Sequence, residues 1–272
     1  MSLSEAIQHI VKNHLTGYQK FDLSLEGRVK ALNDKQGDLQ GYNCKRCKNK
    51  GWIYQAVDGE IKEYRCTCME TRHTLAIAKK SGIYEQLTRC KLNNFDIEST
   101  YQEKMLDTAK RFLNDPNPQW IYYGGQSGCG KTHICTAIFG QLIKRGLSAR
   151  YITWRGEVAE LKRYIKDPDK YAKRINEYKT VDVLYIDDLF KVGRGSITSA
   201  DINVAFELFD YRYIHSGKIT LISSELTLNE VVALDEAIGS RIREKCGEYV
   251  CLIGKDLDRN QRLAKNKIIE EN

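Results

Sequence analysis

Proline is scarce, with three among 272 residues, which excludes long polyproline spacers. Glycine, at 20, is too sparse for extended flexible linkers, and no internal repeat or low-complexity stretch breaks the chain. No apolar run approaches the roughly 20 residues that a membrane-spanning helix needs. The opening Met1-Ser2-Leu3-Ser4-Glu5 carries neither the basic nor the apolar region of a secretory signal. A cytoplasmic location without membrane contact is therefore expected. Excess charge is modest too: Lys plus Arg 43 against Asp plus Glu 36 gives +7, compatible with a polyanionic partner but far from a histone-like balance.

What is present suits a folded soluble chain, with 42% hydrophobic and 29% charged residues. The length allows one large or two modest domains. Ser2 and Glu5 form a capping-box pattern ahead of Ala6, Ile7, Ile10, Val11 and Leu15, which predicts a short amphipathic helix.

Nine cysteines in a chain expected in a reducing compartment argue against a disulfide scaffold. Four of them form two close pairs, Cys44 with Cys47 and Cys66 with Cys68, separated by a segment holding Trp52, Tyr54 and the turn-forming Asp58-Gly59. Two such knuckles joined by a hairpin can converge on one Zn²⁺, and four sulfur ligands leave no open position, which makes the site structural. An iron–sulfur cluster has the same ligand count, four free buried thiols are the plain alternative, and His73 could replace one thiolate. Cys90, Cys129, Cys135, Cys246 and Cys251 have no pairing pattern and read as ordinary thiols. A helical stretch from Met69 to Lys80 follows the pairs, and a composition change near residue 95 divides the chain into domains 1–95 and 96–272.

Beyond that point strand-like runs alternate with helical patterns, the signature of a parallel sheet with crossover helices. Strands are predicted at 120–123, 149–154, 181–186, 219–223 and 249–253, and helices at 131–145, 157–166, 169–179, 200–215 and 236–246. The first strand runs into Gly125, Gln126, Ser127, Gly128, Cys129, Gly130, Lys131 and Thr132, a fit to GxxxxGK[ST] with His133 in the helix that follows. The pattern arises by accident in about 1% of chains this long. Its glycines let backbone N–H groups turn toward phosphate oxygens at the positive end of the helix. Lys131 is then expected to reach the β and γ phosphates and Thr132 to ligate Mg²⁺.

The run Val181 to Ile186 ends in Asp187 and Asp188. Carboxylates at the C-terminal end of a parallel strand lie where such sheets bind ligands, so Asp187 is expected to hold Mg²⁺ through its water shell and Asp188 to polarise an attacking water. A third apolar run, from Gly217, ends in Ser223-Ser224-Glu225, which reads either as a nucleotide-sensing strand end near the γ phosphate or as simple strand termination. Gly239-Ser240-Arg241 lies in a late helix, where Arg241 is either solvated or an arginine finger for a neighbouring subunit. Lys162, Arg163, Lys166, Lys170, Lys173 and Arg174, interleaved with Tyr164, Tyr171 and Tyr178, read either as a solvated helical pair or as a groove for single-stranded nucleic acid. Thr153-Trp154-Arg155 is a further candidate contact there.

In this order the cysteine module, the linker Leu92-Asn93-Asn94-Phe95, the loop Gly125–Thr132, the Asp187-Asp188 strand and Gly239-Ser240-Arg241 resemble the replicative helicase loaders of the DnaC/DnaI type, AAA+ ATPases of bacteria and phages. The resemblance is strongest over residues 90–250. It implies an α/β AAA+ core with a parallel sheet, a catalytic strand beside the phosphate-loop strand, and no full helical lid, preceded by a small zinc-binding α+β domain. It also implies ATP, Mg²⁺ and Zn²⁺ as cofactors, a hexameric replicative helicase and single-stranded DNA as partners, and self-association through the AAA+ domain. Lys131, Asp187, Asp188 and Arg241 match the family's catalytic positions. Ser223-Ser224-Glu225 departs from the Asn that the family often presents. Two other readings stand beside the loader: a transposition-helper AAA+ ATPase, and a nucleotide-switched zinc adaptor with little turnover.

Overall fold

The computed structural model describes residues 24–264 apart from Ser81 and Arg194. The amphipathic helix expected over Ser2 to Leu15 lies outside these residues. Packing divides the chain into two units after Met69, ahead of the composition change near residue 95. The reason is that Ile83, Leu87 and Phe95 share one apolar core with Phe112 and Ile138, so the stretch before residue 95 belongs physically to the larger unit.

The first unit holds helix α1 (Leu25–Asp34) and the hairpin of β1 (Trp52–Val57) and β2 (Glu60–Arg65). Ser24 caps α1 by accepting from the Gly27 N–H at 3.0 Å. Asp58 and Gly59 both adopt positive φ, 54° and 79°, as a two-residue turn matched to the strand twist requires. Asn33 ties the helix to the hairpin, donating to the Tyr54 carbonyl at 2.8 Å and accepting from its N–H at 2.9 Å.

Helix α2 (Cys68–Lys80) runs across the division. The second unit continues with α3 (Tyr84–Arg89), a 3₁₀ turn at Leu92–Asn94 and α4 (Thr100–Asn114). Then come β3 (Trp120–Gly125), α5 (Lys131–Lys144), β4 (Ala149–Thr153), α6 (Trp154–Arg163), α7 (Pro168–Thr180) and β5 (Val183–Leu189). The remaining elements are α8 (Ser199–Ile214), β6 (Ile219–Ser224), α9 (Leu228–Leu234), α10 (Glu236–Cys246), β7 (Val250–Ile253) and, after a 3₁₀ turn at Leu257–Arg259, α11 (Gln261–Ala264).

The five strands lie in the order β4-β5-β6-β3-β7, all parallel. Both faces are covered, which explains why the strands read as continuous apolar runs. Ile121, Tyr123, Val183, Tyr185 and Leu221 enter one core with Phe112, Ile134 and Phe139. Trp120, Tyr122, Leu184, Ile186 and Ile222 enter the other with Trp154, Phe209 and Ile242. Strand β6 lies between β3 and β5, so the strand carrying Asp187 and Asp188 is not beside the phosphate-loop strand as the resemblance implies, and the polar end of β6 sits between the phosphate loop and the two aspartates. Among the described residues no helical lid follows β7.

Three local expectations change. The strand over 149–154 ends at Thr153, and α6 starts at Trp154 rather than 157, because Trp154 is buried and stacks edge-on against Phe190 at 5.3 Å. Trp154 is therefore a core residue and offers no nucleic-acid contact. Helices α4 and α9 fall outside the expected set, although Met105, Ala109 and Phe112 mark a buried face of α4 and Thr227 with Glu230 forms a capping box on α9.

Candidate nucleotide and metal sites

In the first unit the four paired cysteines meet. Cys44, Cys47, Cys66 and Cys68 are all buried, and their sulfurs lie within 4.8 Å of one another. The Cys44–Cys66 and Cys47–Cys68 sulfur pairs are 3.8 Å and 3.5 Å apart. A tetrahedron of thiolates around Zn²⁺ has edges of about 3.8 Å, from Zn–S bonds of about 2.3 Å. The donor set therefore fits a structural zinc ion, and the cluster contains no histidine, so His73 is not needed. Lys48, Asn49 and Gly51 at φ 50°, 65° and 87° fold the chain back so that the Gly51 N–H donates to the Cys47 sulfur at 3.3 Å. Burial pushes the Cys47 thiol up, but the Gly51 N–H and the neighbouring thiols outweigh it and bring it to about 7.

In the second unit the loop between β3 and α5 is shaped by Gly125, Gly128 and Gly130, all at positive φ. A Cβ at Gly125 would sit 1.9 Å from the Ile253 carbonyl oxygen, so only glycine lets the loop pass this close to β7. Lys131, buried in the first turn of α5, donates to the Gly125 carbonyl at 2.8 Å and the Gln126 carbonyl at 2.6 Å. Thr132 Oγ1 donates to Asp187 Oδ1 at 3.2 Å. Two hard oxygen ligands at that separation match the roughly 3 Å edge of an octahedral Mg²⁺ shell with bonds near 2.1 Å. Thr132 and Asp187 are thus suited to hold the ion, which would neutralise phosphate charge when bound.

Asp187 is buried and gathers further hydroxyls. Tyr185 donates to its Oδ1 at 2.8 Å and Tyr151 to its Oδ2 at 3.2 Å, and the Ser223 hydroxyl also donates to Oδ1. Burial first, and the Asp187 charge second, hold both phenols above their ordinary range. Ser223 also accepts from the Asp188 N–H at 3.0 Å, so one serine on β6 positions both aspartates.

A cavity of about 680 Å³ opens over the loop. Ser127, Gly128, Gly130, Lys131, Thr132 and His133 line one side, with Asp188, Lys191 and Glu225 among the others. Gln126 and Cys129 do not face it: the Gln126 side chain accepts from the Asp256 N–H at 3.0 Å, and Cys129 is buried in the core. His133 Nε2 pairs with the Lys91 carbonyl at 3.0 Å and packs edge-on to Phe95 at 5.3 Å.

Sequence reasoning missed several walls of this cavity. Gln86, Arg89 and Cys90 from α3 and its end line it, as do Gln261 and Arg262 from α11. Only the linker Leu92–Phe95 hinted at α3, and Lys191 carried no motif. Asp188 has φ 58° and Phe190 φ 60°, left-handed conformations that cost on the order of 1–3 kcal/mol each for residues with side chains.

Arg241 does not line the cavity. It pairs with Asp210 at 3.0 Å and lies over the rings of Phe206 and Tyr213. The basic helices α6 and α7 are largely neutralised internally: Arg174 grips Glu157 at 2.7 Å and 2.9 Å, Lys162 meets Asp201, and Lys170 meets Asp167. Tyr178 is buried, and Tyr164 and Tyr171 donate to Glu160 and Glu207, so these rings have structural work within the unit.

A family model described as IstB-like ATP binding protein matches residues 68–246. The chain belongs to the IstB-like ATP-binding family. The matched span runs from the last paired cysteine through the phosphate loop and Arg241. Among similar IstB-like and related sequences, the phage-like element PBSX protein XkdC of Bacillus subtilis is 30% identical over 259 residues, covering 90% of this chain and 96% of its own. The replicative helicase loader DnaC of Buchnera aphidicola is 28% identical over 176 residues, covering 63% of this chain and 67% of its own. A crystal structure of the DnaC helicase loader superposes with a TM-score of 0.51 at 21% identity, over 62% of this chain and 98% of that one. The replication initiator DnaA bound to AMPPCP and single-stranded DNA gives 0.52 at 20% identity, over 68% and 57%. At these identities the structures establish the shared fold, and the IstB-like match establishes an ATP-binding domain.

Proposed function

We propose that this protein is an ATP-hydrolysing loader that binds a hexameric replicative helicase and helps place it on single-stranded DNA. The observation that carries the ATPase half is the meeting of Lys131, Thr132, Asp187, Asp188 and Ser223 from three adjacent strand ends. The loop N–H groups and Lys131 hold the phosphates, Thr132 and Asp187 would hold Mg²⁺, which would supply charge neutralisation, and Asp188 accepts the proton of the water that attacks the γ phosphorus, releasing ADP and phosphate. Similarity to a DnaC helicase loader over two thirds of its length supports the loader half. The cysteine unit, placed in the chain before the ATPase core, serves as the helicase-binding part, and Arg241 serves a neighbouring copy's nucleotide.

A transposition-helper ATPase is the second reading, favoured by the IstB-like family model itself. Co-elution of the full chain with its host's hexameric helicase separates the two, and a purified pair that never associates sinks the loader claim. Lys131→Ala is expected to abolish ATP binding, whereas Asp188→Asn keeps binding and stops turnover. Hydrolysis persisting in Asp188→Asn removes Asp188 from its role.

A further inference from the structure

The turn after β5 is built at a cost in backbone strain. Asp188 and Phe190 are left-handed without being glycine, and such strain concentrates where function requires it. Leu189 between them keeps its place beside Ser224 in the sheet, and the buried Phe190 ring is held against Trp154. The next residue folds back, its N–H donating to the Asp188 carbonyl at 2.9 Å. As a result the Lys191 ammonium lies 3.0 Å from Asp188 Oδ2 and 2.9 Å from Glu225 Oε1, and all three side chains face the cavity with Lys131.

A polyphosphate entering here meets two carboxylates, and repulsion between like charges in a partly dehydrated cleft is strong. Lys191 answers both at once. Glu225 is buried enough for its carboxyl to be pushed up, yet the Lys191 pairing, with Ser127 and Lys131, outweighs this and holds it below the usual carboxylate range. In the ATPase reading above the N-terminus of α5 takes the inner phosphates, and Lys191, two residues past the end of β5 on the far side of the cleft, would meet the outermost one. A lysine ammonium has three donors on a flexible stem, so it can keep Glu225 and change its second partner by side-chain rotation alone.

We propose that Lys191 is a phosphate-contacting residue that exchanges Asp188 for the terminal phosphate of a bound nucleoside triphosphate, retaining Glu225. Occupancy by the triphosphate thereby frees the Asp188 carboxylate to accept a proton from water, whereas the diphosphate leaves it paired. This rests on the ATPase reading above.

The test is calorimetric titration of the full chain, with Mg²⁺, by AMPPNP and by ADP, for wild type, Lys131→Ala, Lys191→Ala, Lys191→Arg and the double variant Lys191→Ala/Glu225→Gln. Lys191→Ala is expected to weaken AMPPNP about tenfold or more and ADP less than threefold, so that the preference for the triphosphate falls by at least about threefold. Lys191→Arg retains most of the preference, and Glu225→Gln does not restore it. Equal losses for the two nucleotides, or rescue by Glu225→Gln, overturn the proposal in favour of simple charge neutralisation. Lys191→Gln replaces Lys191→Ala if the latter does not fold. Wild type binding neither nucleotide overturns the ATPase reading as well. Wild type binding both, with loss in Lys131→Ala and no change in Lys191→Ala, overturns this inference alone.

Discussion

Replacing Arg212 by Met tests how the sheet is held at the end away from the nucleotide. Arg212 on α8 is 1% exposed, and among the described residues its donors meet only carbonyls and one hydroxyl. Nη1 donates to the carbonyls of Tyr178 at 2.9 Å and Val181 at 2.8 Å, Nη2 to that of Ile219 at 2.7 Å, and Nε to Thr220 Oγ1 at 3.0 Å. It therefore satisfies carbonyls at the C-terminus of α7 and at the starts of β5 and β6 in one place. Two longer bonds reach the Lys179 and Asp182 carbonyls; hydrogen bonds from a charged donor contribute about 1.5–3 kcal/mol each, so the four shortest alone amount to roughly 6–12 kcal/mol gross. Burying the guanidinium costs several kcal/mol in return. The net loss expected for Arg212→Met is about 3–5 kcal/mol, read by urea unfolding as a lower midpoint at unchanged slope, or roughly 10 °C in Tm. Asp187 and Ser223 each lie four residues along their strands, about 13 Å from those starts, so protein that remains folded should bind ATP as wild type does. A loss below 1 kcal/mol, or nucleotide binding lost while the fold persists, refutes the reasoning.

Asp201 in the first turn of α8 accepts from Lys162 at 2.7 Å and from the Thr198 N–H at 2.8 Å; burial pushes its carboxyl up, but these partners prevail and hold it low. Its stabilisation is present above the unfolded value near 3.9 and is lost as pH falls through the lower folded value. Asp201→Asn should cost about 1–2 kcal/mol at pH 7, with the gap to wild type closing below about pH 4 in acid unfolding curves; a gap independent of pH contradicts this. Elemental analysis should find one zinc per chain, and its removal by a chelator should raise hydrogen exchange over residues 42–66 and leave the parallel sheet protected; iron in its place, or sheet exchange rising equally, overturns the assignment. Gly125→Ala should abolish ATP binding and cost at least 2 kcal/mol, since its Cβ meets Ile253 at 1.9 Å; a variant binding nucleotide normally would show that the loop has room to shift.

The parts legible from the sequence are those where chemistry and chain order coincide. The glycine spacing of Gly125–Gly130, the acids ending an apolar run and the paired cysteines are local patterns, and each reappears as local geometry. Lys191 and Glu225 were not legible as a pair, because only the adjacency of β5 and β6 brings them together. The place of α3 was hidden for a similar reason: Leu87 and Ile83 become core residues only by packing with α5 and its neighbours. Among the tyrosines between the basic residues, Tyr178 turns its ring to the interior, which the local pattern of charges and rings does not disclose.

Two phenols resting on one carboxylate also give the proposed magnesium site a built-in optical label. Tyr151 and Tyr185 both donate to Asp187, so a divalent cation drawing on that carboxylate changes the field at one partly buried and one fully buried chromophore at once. Near-ultraviolet difference spectra can follow cation arrival in the unmodified protein, without a fluorescent nucleotide, and Tyr151→Phe apportions the signal between the two rings.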